Sequence, residues 1–70
     1  MNAESIRSVL TRQPFEPFEV RMTYGDVHSV GHPENAWLAG SRLFVYDRAT
    51  DRVAICSLLH IVGINMLQPS

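Results

Sequence analysis

Three histidines, His28, His32 and His60, share a 70-residue chain with Glu34 and a lone Cys56, and these are the residue types that bind metals or act as nucleophiles. Imidazole nitrogen, carboxylate oxygen and thiolate sulfur are the usual protein ligands of zinc. Spacing argues against such a site. His28 and His32 are four apart, and four residues of strand span ~13 Å. Both reach one ion only from a helix or across a sharp bend, and Gly31 and Pro33 oppose a helix there. No Cys or His pair has zinc-knuckle spacing, and structural zinc normally takes four ligands. A metal or enzymatic site on His28, His32, Glu34 and His60 therefore ranks third among the readings. His28 is expected on the solvent face of a strand, and His32 in a loop, bonded to nearby backbone. Cys56 and His60 supply a thiol and a base, but a reactive cysteine needs an electropositive, partly exposed setting. Cys56 lies in the most apolar stretch of the chain, where a free cysteine packs as a small hydrophobe. No third group orients the pair. The four glycines sit singly, so no phosphate-binding loop is present. No catalytic residue, metal ligand or cofactor is assigned, and the chain is not expected to be an enzyme.

The remaining candidates bind rather than react. Phe18, Tyr24, Trp37, Phe44 and Tyr46 are interleaved with polar residues and could stack nucleic-acid bases on an open barrel face. The plainer reading makes Phe18 and Phe44 core and packs Trp37 under a helix or in an oligomer contact. All six basic residues are arginine, with a net charge of -1, so the electrostatic footprint of nonspecific nucleic-acid binding is missing. A local patch remains if Arg42, Arg48 and Arg52 meet near strand ends, where their planar guanidinium groups suit carboxylates or phosphates. The interaction surface is thus expected among Phe15, Trp37, Arg42, Arg48 and Arg52. His32-Pro33-Glu34 is a possible functional loop. It either shapes a turn, with Glu34 pairing to an arginine, or rims a site.

These residues must be held by one domain, since 70 residues allow no more. At this size apolar burial and conformational entropy nearly cancel, so small domains rely on disulfides, metals, very good packing or association. The single cysteine excludes an internal disulfide and points to a reducing compartment. The hydrophobic share of 46% argues against disorder. Homo-oligomerisation is the expected extra stabiliser, with a protein partner as a further possibility. The first residues show no signal peptide, and the longest apolar region, Val53 to Leu67, is too short and too interrupted to span a membrane. A cytoplasmic location and no membrane partner follow as expectations.

The hydrophobic period changes across Arg12-Gln13-Pro14-Phe15-Glu16-Pro17-Phe18. Before it, Ile6, Val9 and Leu10 have helical spacing. After it, Phe18, Val20, Met22 and Tyr24 alternate with polar residues, as in a strand. The pattern predicts a helix over 2–13, capped by Asn2 and ended by Pro14. Phe15 and Phe18 are expected to fill the gap between helix and sheet. The two prolines could also read as a ligand motif for an aromatic groove. Strands are predicted at 18–23, 27–30, 36–39, 43–46, 53–56 and 61–66, with turns at Tyr24-Gly25-Asp26 and Gly40-Ser41, a loop or short turn at 31–35, and one helical turn at 57–59. The expected fold is α+β and mainly β: one N-terminal helix, then five to six short bent strands over 18–67 forming a small barrel.

The pattern RQPFxPF, then Gly25, then His32-Pro33-Glu34, then Ser57-Leu58-Leu59-His60-Ile61 resembles a group of short uncharacterised bacterial proteins over nearly the whole chain. That resemblance brings no activity with it. The order of elements is similar to Sm-like and other SH3-type barrels, which implies edge-strand oligomers and, often, RNA binding. No Sm signature residue is present, so no RNA-contacting residue is implied. The favoured expectation is a non-catalytic binding or protein-interaction module. The alternative is an Sm-like RNA-binding homo-oligomeric ring. RNA binding predicts an arginine patch on one surface, and an interaction module predicts an apolar patch centred on Trp37 or Phe15.

Overall fold

The alternation that begins at Phe18 becomes the central strand of a sheet in the computed structural model, which describes residues 1–67. Before it lies helix α1, Ala3–Leu10. Asn2 caps it as expected, its Oδ1 accepting from the Ser5 amide at 2.9 Å. The helix is shorter than the expected 2–13. The Thr11 amide and hydroxyl both donate to the Arg7 carbonyl, at 3.0 and 2.8 Å, and close the last turn there. Arg12 is left beyond the helix, 3.3 Å from Glu16. Ile6 is fully buried, and Ala3, Val9 and Leu10 pack around it against the core. The Met1 ammonium donates to the Leu58 carbonyl at 2.8 Å and ties the helix start to the far end of the chain.

Six strands follow: β1 Phe18–Met22, β2 Val27–Val30, β3 Ala36–Ala39, β4 Arg42–Asp47, β5 Arg52–Ser57 and β6 Ile61–Met66. Their order matches expectation, and β2, β3 and β6 match to the residue. Two turns need left-handed backbone at glycine, Gly25 at φ 100° and Gly40 at φ 59°. Short 3-10 turns cover Pro33–Asn35 and Leu58–His60.

The strands form two antiparallel three-stranded sheets, ordered β2-β1-β6 and β3-β4-β5, with no closed barrel. The break falls at Gly31–Asn35, where the chain passes from one sheet to the other. Pro33 has no N–H to give a ladder, and the 3-10 turn takes the segment out of extended geometry. The fold is therefore α+β and mainly β, as expected.

Partners across the ladders show which side chains share a face. In the first sheet Phe18 stands between Val30 and Met66, and Val20 between His28 and Ile64. This is the inner face. In the second sheet the inner face carries Leu43 opposite Cys56, and Val45 between Ala36 and Ala54. Phe18, Val20, Val30, Leu43, Val45 and Cys56 are all buried. Helix α1 packs beside β3. Phe15 is half-buried with its ring 6.0 Å from Phe18, filling the join between helix and sheet.

Candidate interaction surface

The two sheets differ on their outer faces. Outside the first sheet stand Glu19, Arg21, Ser29 and Asn65 with Val27 beside Arg21, and the Asn65 amide donates to Glu19 at 3.2 Å; Val62 is also exposed, at the irregularity in β6. This is an ordinary solvated face. The second sheet presents a row of three strands in register, Trp37 opposite Phe44 and Phe44 opposite Ile55. The Trp37 and Phe44 rings stack at 5.6 Å with 4° between their planes. One step along, Tyr46 stands opposite Val53 on the same face. Trp37 is 45% exposed, Val53 48% and Ile55 61%, while Phe44 and Tyr46 are half-buried by their neighbours. The Tyr46 hydroxyl donates to the Asp51 carboxylate at 2.9 Å, which holds the ring at the hairpin end of the row.

The local sequence explains this. Leu43-Phe44-Val45-Tyr46 and Val53-Ala54-Ile55-Cys56 are apolar at every position, so both faces of β4 and β5 are apolar. Strands of that composition are normally covered on both sides. Phe44 was expected in the core. It lies instead on the outer face, because Leu43 and Val45 take the inner positions and an alternating strand cannot put neighbours on one side.

The other expected residues fall into place around this row. Trp37 is its anchor. Phe15 belongs to the joint with Phe18 and offers little free surface. The three arginines do not form one patch. Arg42 stands opposite Ser57 and Arg52 opposite Asp47, five pairs apart, or ~17 Å along the ladder. Only Arg48 and Arg52 share the hairpin end.

His32, Pro33 and Glu34 are exposed and form the crossover between sheets, the Asn35 amide donating to the His32 carbonyl at 3.0 Å. Glu34 does not take the arginine partner that the turn-shaping alternative gave it; the ion pairs among the described residues are Arg7–Glu4 and Arg12–Glu16. His28 is not on the solvent face. It shares the inner face with Val20, is half-buried and lines a groove. His60 is exposed at the end of the second 3-10 turn, its ring 6.5 Å from Tyr24. Among the described residues no three His, Cys, Asp or Glu side chains gather around a common point. Cys56 is 1% exposed, and burial pushes its thiol pKa up. That is the opposite of what a nucleophile needs.

The groove opens between β2 and the hairpin end of β4 and β5, with a volume of about 530 Å³. Val27, His28 and Ser29 form one wall, and Val45, Asp47, Arg52 and Ala54 lie on the inner face opposite. Sequence reasoning missed it, because it arises where two sheets distant in sequence diverge.

No helix among the described residues is long and apolar enough to cross a membrane. Compared with protein-family models, curated proteins and solved structures, the chain matches none.

Proposed function

We propose that the protein is a non-catalytic protein-interaction module that works through the outer face of its second sheet, in the first instance against a second copy of itself. The observation that carries this is the contrast between the two outer faces: mostly polar on the first sheet, with Val27 its one apolar paired position, and a contiguous row of Trp37, Phe44, Tyr46, Val53 and Ile55 on the second. Contiguous exposed apolar patches mark interaction sites, and exposed aromatic residues are the usual anchors. A domain this small also gains stability from having such a face covered. A cytoplasmic setting agrees with a single buried thiol.

We further read the two sheets as an opened small barrel of the SH3-like or Sm-like kind. The order β6-β1-β2 followed by β3-β4-β5 is a single meander interrupted only at Gly31–Asn35, with a 3-10 turn before the last strand. An RNA-binding ring is the weaker reading. The exposed Trp37 ring favours it, while the separated arginines and the net charge of -1 oppose it.

Sedimentation velocity over a dilution series tests the proposal, with wild type compared with Trp37→Ser. The expected result is reversible association in wild type and monomer in the variant. A wild type that stays monomeric to high micromolar concentration overturns the self-association. Capture from native cells with and without nuclease separates the two readings. A protein partner that survives nuclease and is lost with Trp37→Ser supports the module, and nucleic acid recovered with the wild type supports the ring.

A further inference from the structure

The outer face of the second sheet is charged only at its two ends, and the ends differ. Strand alternation puts Arg42, Phe44 and Tyr46 of β4 on this face, with Ala39 and Ser57 on either side of Arg42. Arg42 is exposed and makes no ion pair among the described residues. It is also the one charged residue in segments 37–42 and 53–59. The end of the face at the β3–β4 turn is therefore positive.

The opposite end is the β4–β5 hairpin. It carries Asp47, Arg48, Asp51 and Arg52, which leave it without net charge. Asp47 and Arg52 are cross-strand partners on the inner face and balance each other there. Asp51 stands on the outer side, because its carboxylate accepts from the Tyr46 hydroxyl at 2.9 Å. A carboxylate thus rims the apolar row at the end away from Arg42.

Sheets packed face to face keep their strands within about 30° of each other. A two-fold axis between identical sheets then runs either along the strands or across them. Along the strands, it lays Arg42 over Arg42 of the second copy. Across the strands, it reverses one sheet on the other and takes Arg42 to the hairpin end. The spacing suits the second setting. Arg42 and Tyr46 lie equally far on either side of Phe44, ~7 Å along β4. An axis along the ladder row Trp37–Phe44–Ile55 therefore brings Arg42 of each copy over Tyr46 and Asp51 of the other. The apolar row then forms the covered centre, and the charges form a polar rim on both sides of it. Like charges set together count against an arrangement, and complementary ones fix its register.

We propose that two copies of the chain stack through this face about a two-fold axis lying along the Trp37–Phe44–Ile55 row, with Arg42 of each copy paired to Asp51 of the other. This pairing rests on the reading of the face as a self-association surface and adds which residues meet across it.

The test is intermolecular paramagnetic relaxation. Isotope-labelled wild type is mixed with unlabelled Ser41→Cys carrying a nitroxide; the native Cys56 is 1% exposed and escapes the tag. Broadening is expected at the Arg48–Asp51 amides of the labelled copy, ahead of Ala39–Leu43. Sedimentation supplies a second readout. Arg42→Ala and Asp51→Asn should each weaken association several-fold, and the double variant no further than either one. Asparagine keeps an acceptor for the Tyr46 hydroxyl and tolerates the positive φ at position 51. Broadening strongest at Ala39–Leu43, or association of Arg42→Ala equal to or tighter than wild type, overturns this pairing while self-association stands. A wild type that stays monomeric overturns both.

Discussion

Ile55 separates the stability of the fold from the proposed use of its outer face. Truncating a fully buried isoleucine to alanine costs ~2–5 kcal/mol. Ile55 is 61% exposed, so only about two-fifths of that burial exists in one copy of the chain. Scaling gives ~1–2 kcal/mol. The exposed position also lets neighbours and water fill the space, which removes most of the cavity cost. What is left is mainly its cross-strand contact with Phe44, of a kind worth ~0.2–1 kcal/mol. Ile55→Ala should therefore destabilise the monomer by ~1 kcal/mol, the lower end of that range. A domain of this length has ~4–10 kcal/mol in hand, so the variant stays folded and melts ~4–8 °C lower.

Association should respond more strongly. In a two-fold contact each truncation is felt from both sides. A loss of ~1.4 kcal/mol already weakens association tenfold. Ile55→Ala should weaken self-association by about tenfold or more, and Ile55→Asp should abolish it by placing a charge in a covered apolar face. Far-UV circular dichroism during urea unfolding reads the first effect, and sedimentation over a dilution series reads the second. The reasoning fails if both variants associate like wild type while remaining folded. It also fails if Ile55→Ala costs more than ~3 kcal/mol, since the residue would then be core and its exposure misleading.

Three further outcomes test the frame that holds this face. Phe18 is fully buried between Val30 and Met66, so Phe18→Ala should cost ~3–5 kcal/mol, most of the stability of so small a domain; a urea midpoint close to wild type would show that it is not the anchor. Asn2→Ala removes the acceptor of the Ser5 amide and should cost ~1 kcal/mol by thermal melting. Burial raises the Cys56 pKa above its ordinary 9.0, so the folded state holds a proton that the unfolded chain loses. Stability from this group is full below that value and falls as pH rises through and beyond it, and Cys56→Ala should flatten the alkaline limb of a stability–pH curve.

The strands were legible wherever one face meets water. Glu19 and Arg21 alternate with Phe18, Val20 and Met22, and that period fixed β1 and its inner face. The period fails for β4 and β5, where Phe44 and Tyr46 are as apolar as Leu43 and Val45. Composition there marks a strand but not its direction of facing, so Phe44 was placed in the core and Ile55 was not singled out at all. His28 shows the converse error. Its polarity implied solvent, but its register opposite Val20 turns it inward to the groove. The helix end was misplaced because Pro14 acts on Gln13, whereas the Thr11 side chain had already closed the turn.

The unreadable stretch is itself informative. A sequence that alternates has one face to bury, and a monomer can bury it. A strand apolar on both faces asks for two layers, and this fold supplies only one of them to β4 and β5: the first sheet and α1 occupy the inner side, and the described residues leave Trp37, Val53 and Ile55 open on the other. Half exposed, those side chains gain only a fraction of the stabilisation that full burial gives, and polar residues are the commoner choice for a free outer face. The apolar choice at all five positions, set against a mostly polar outer face on the first sheet, is what the proposed second layer from another molecule would explain.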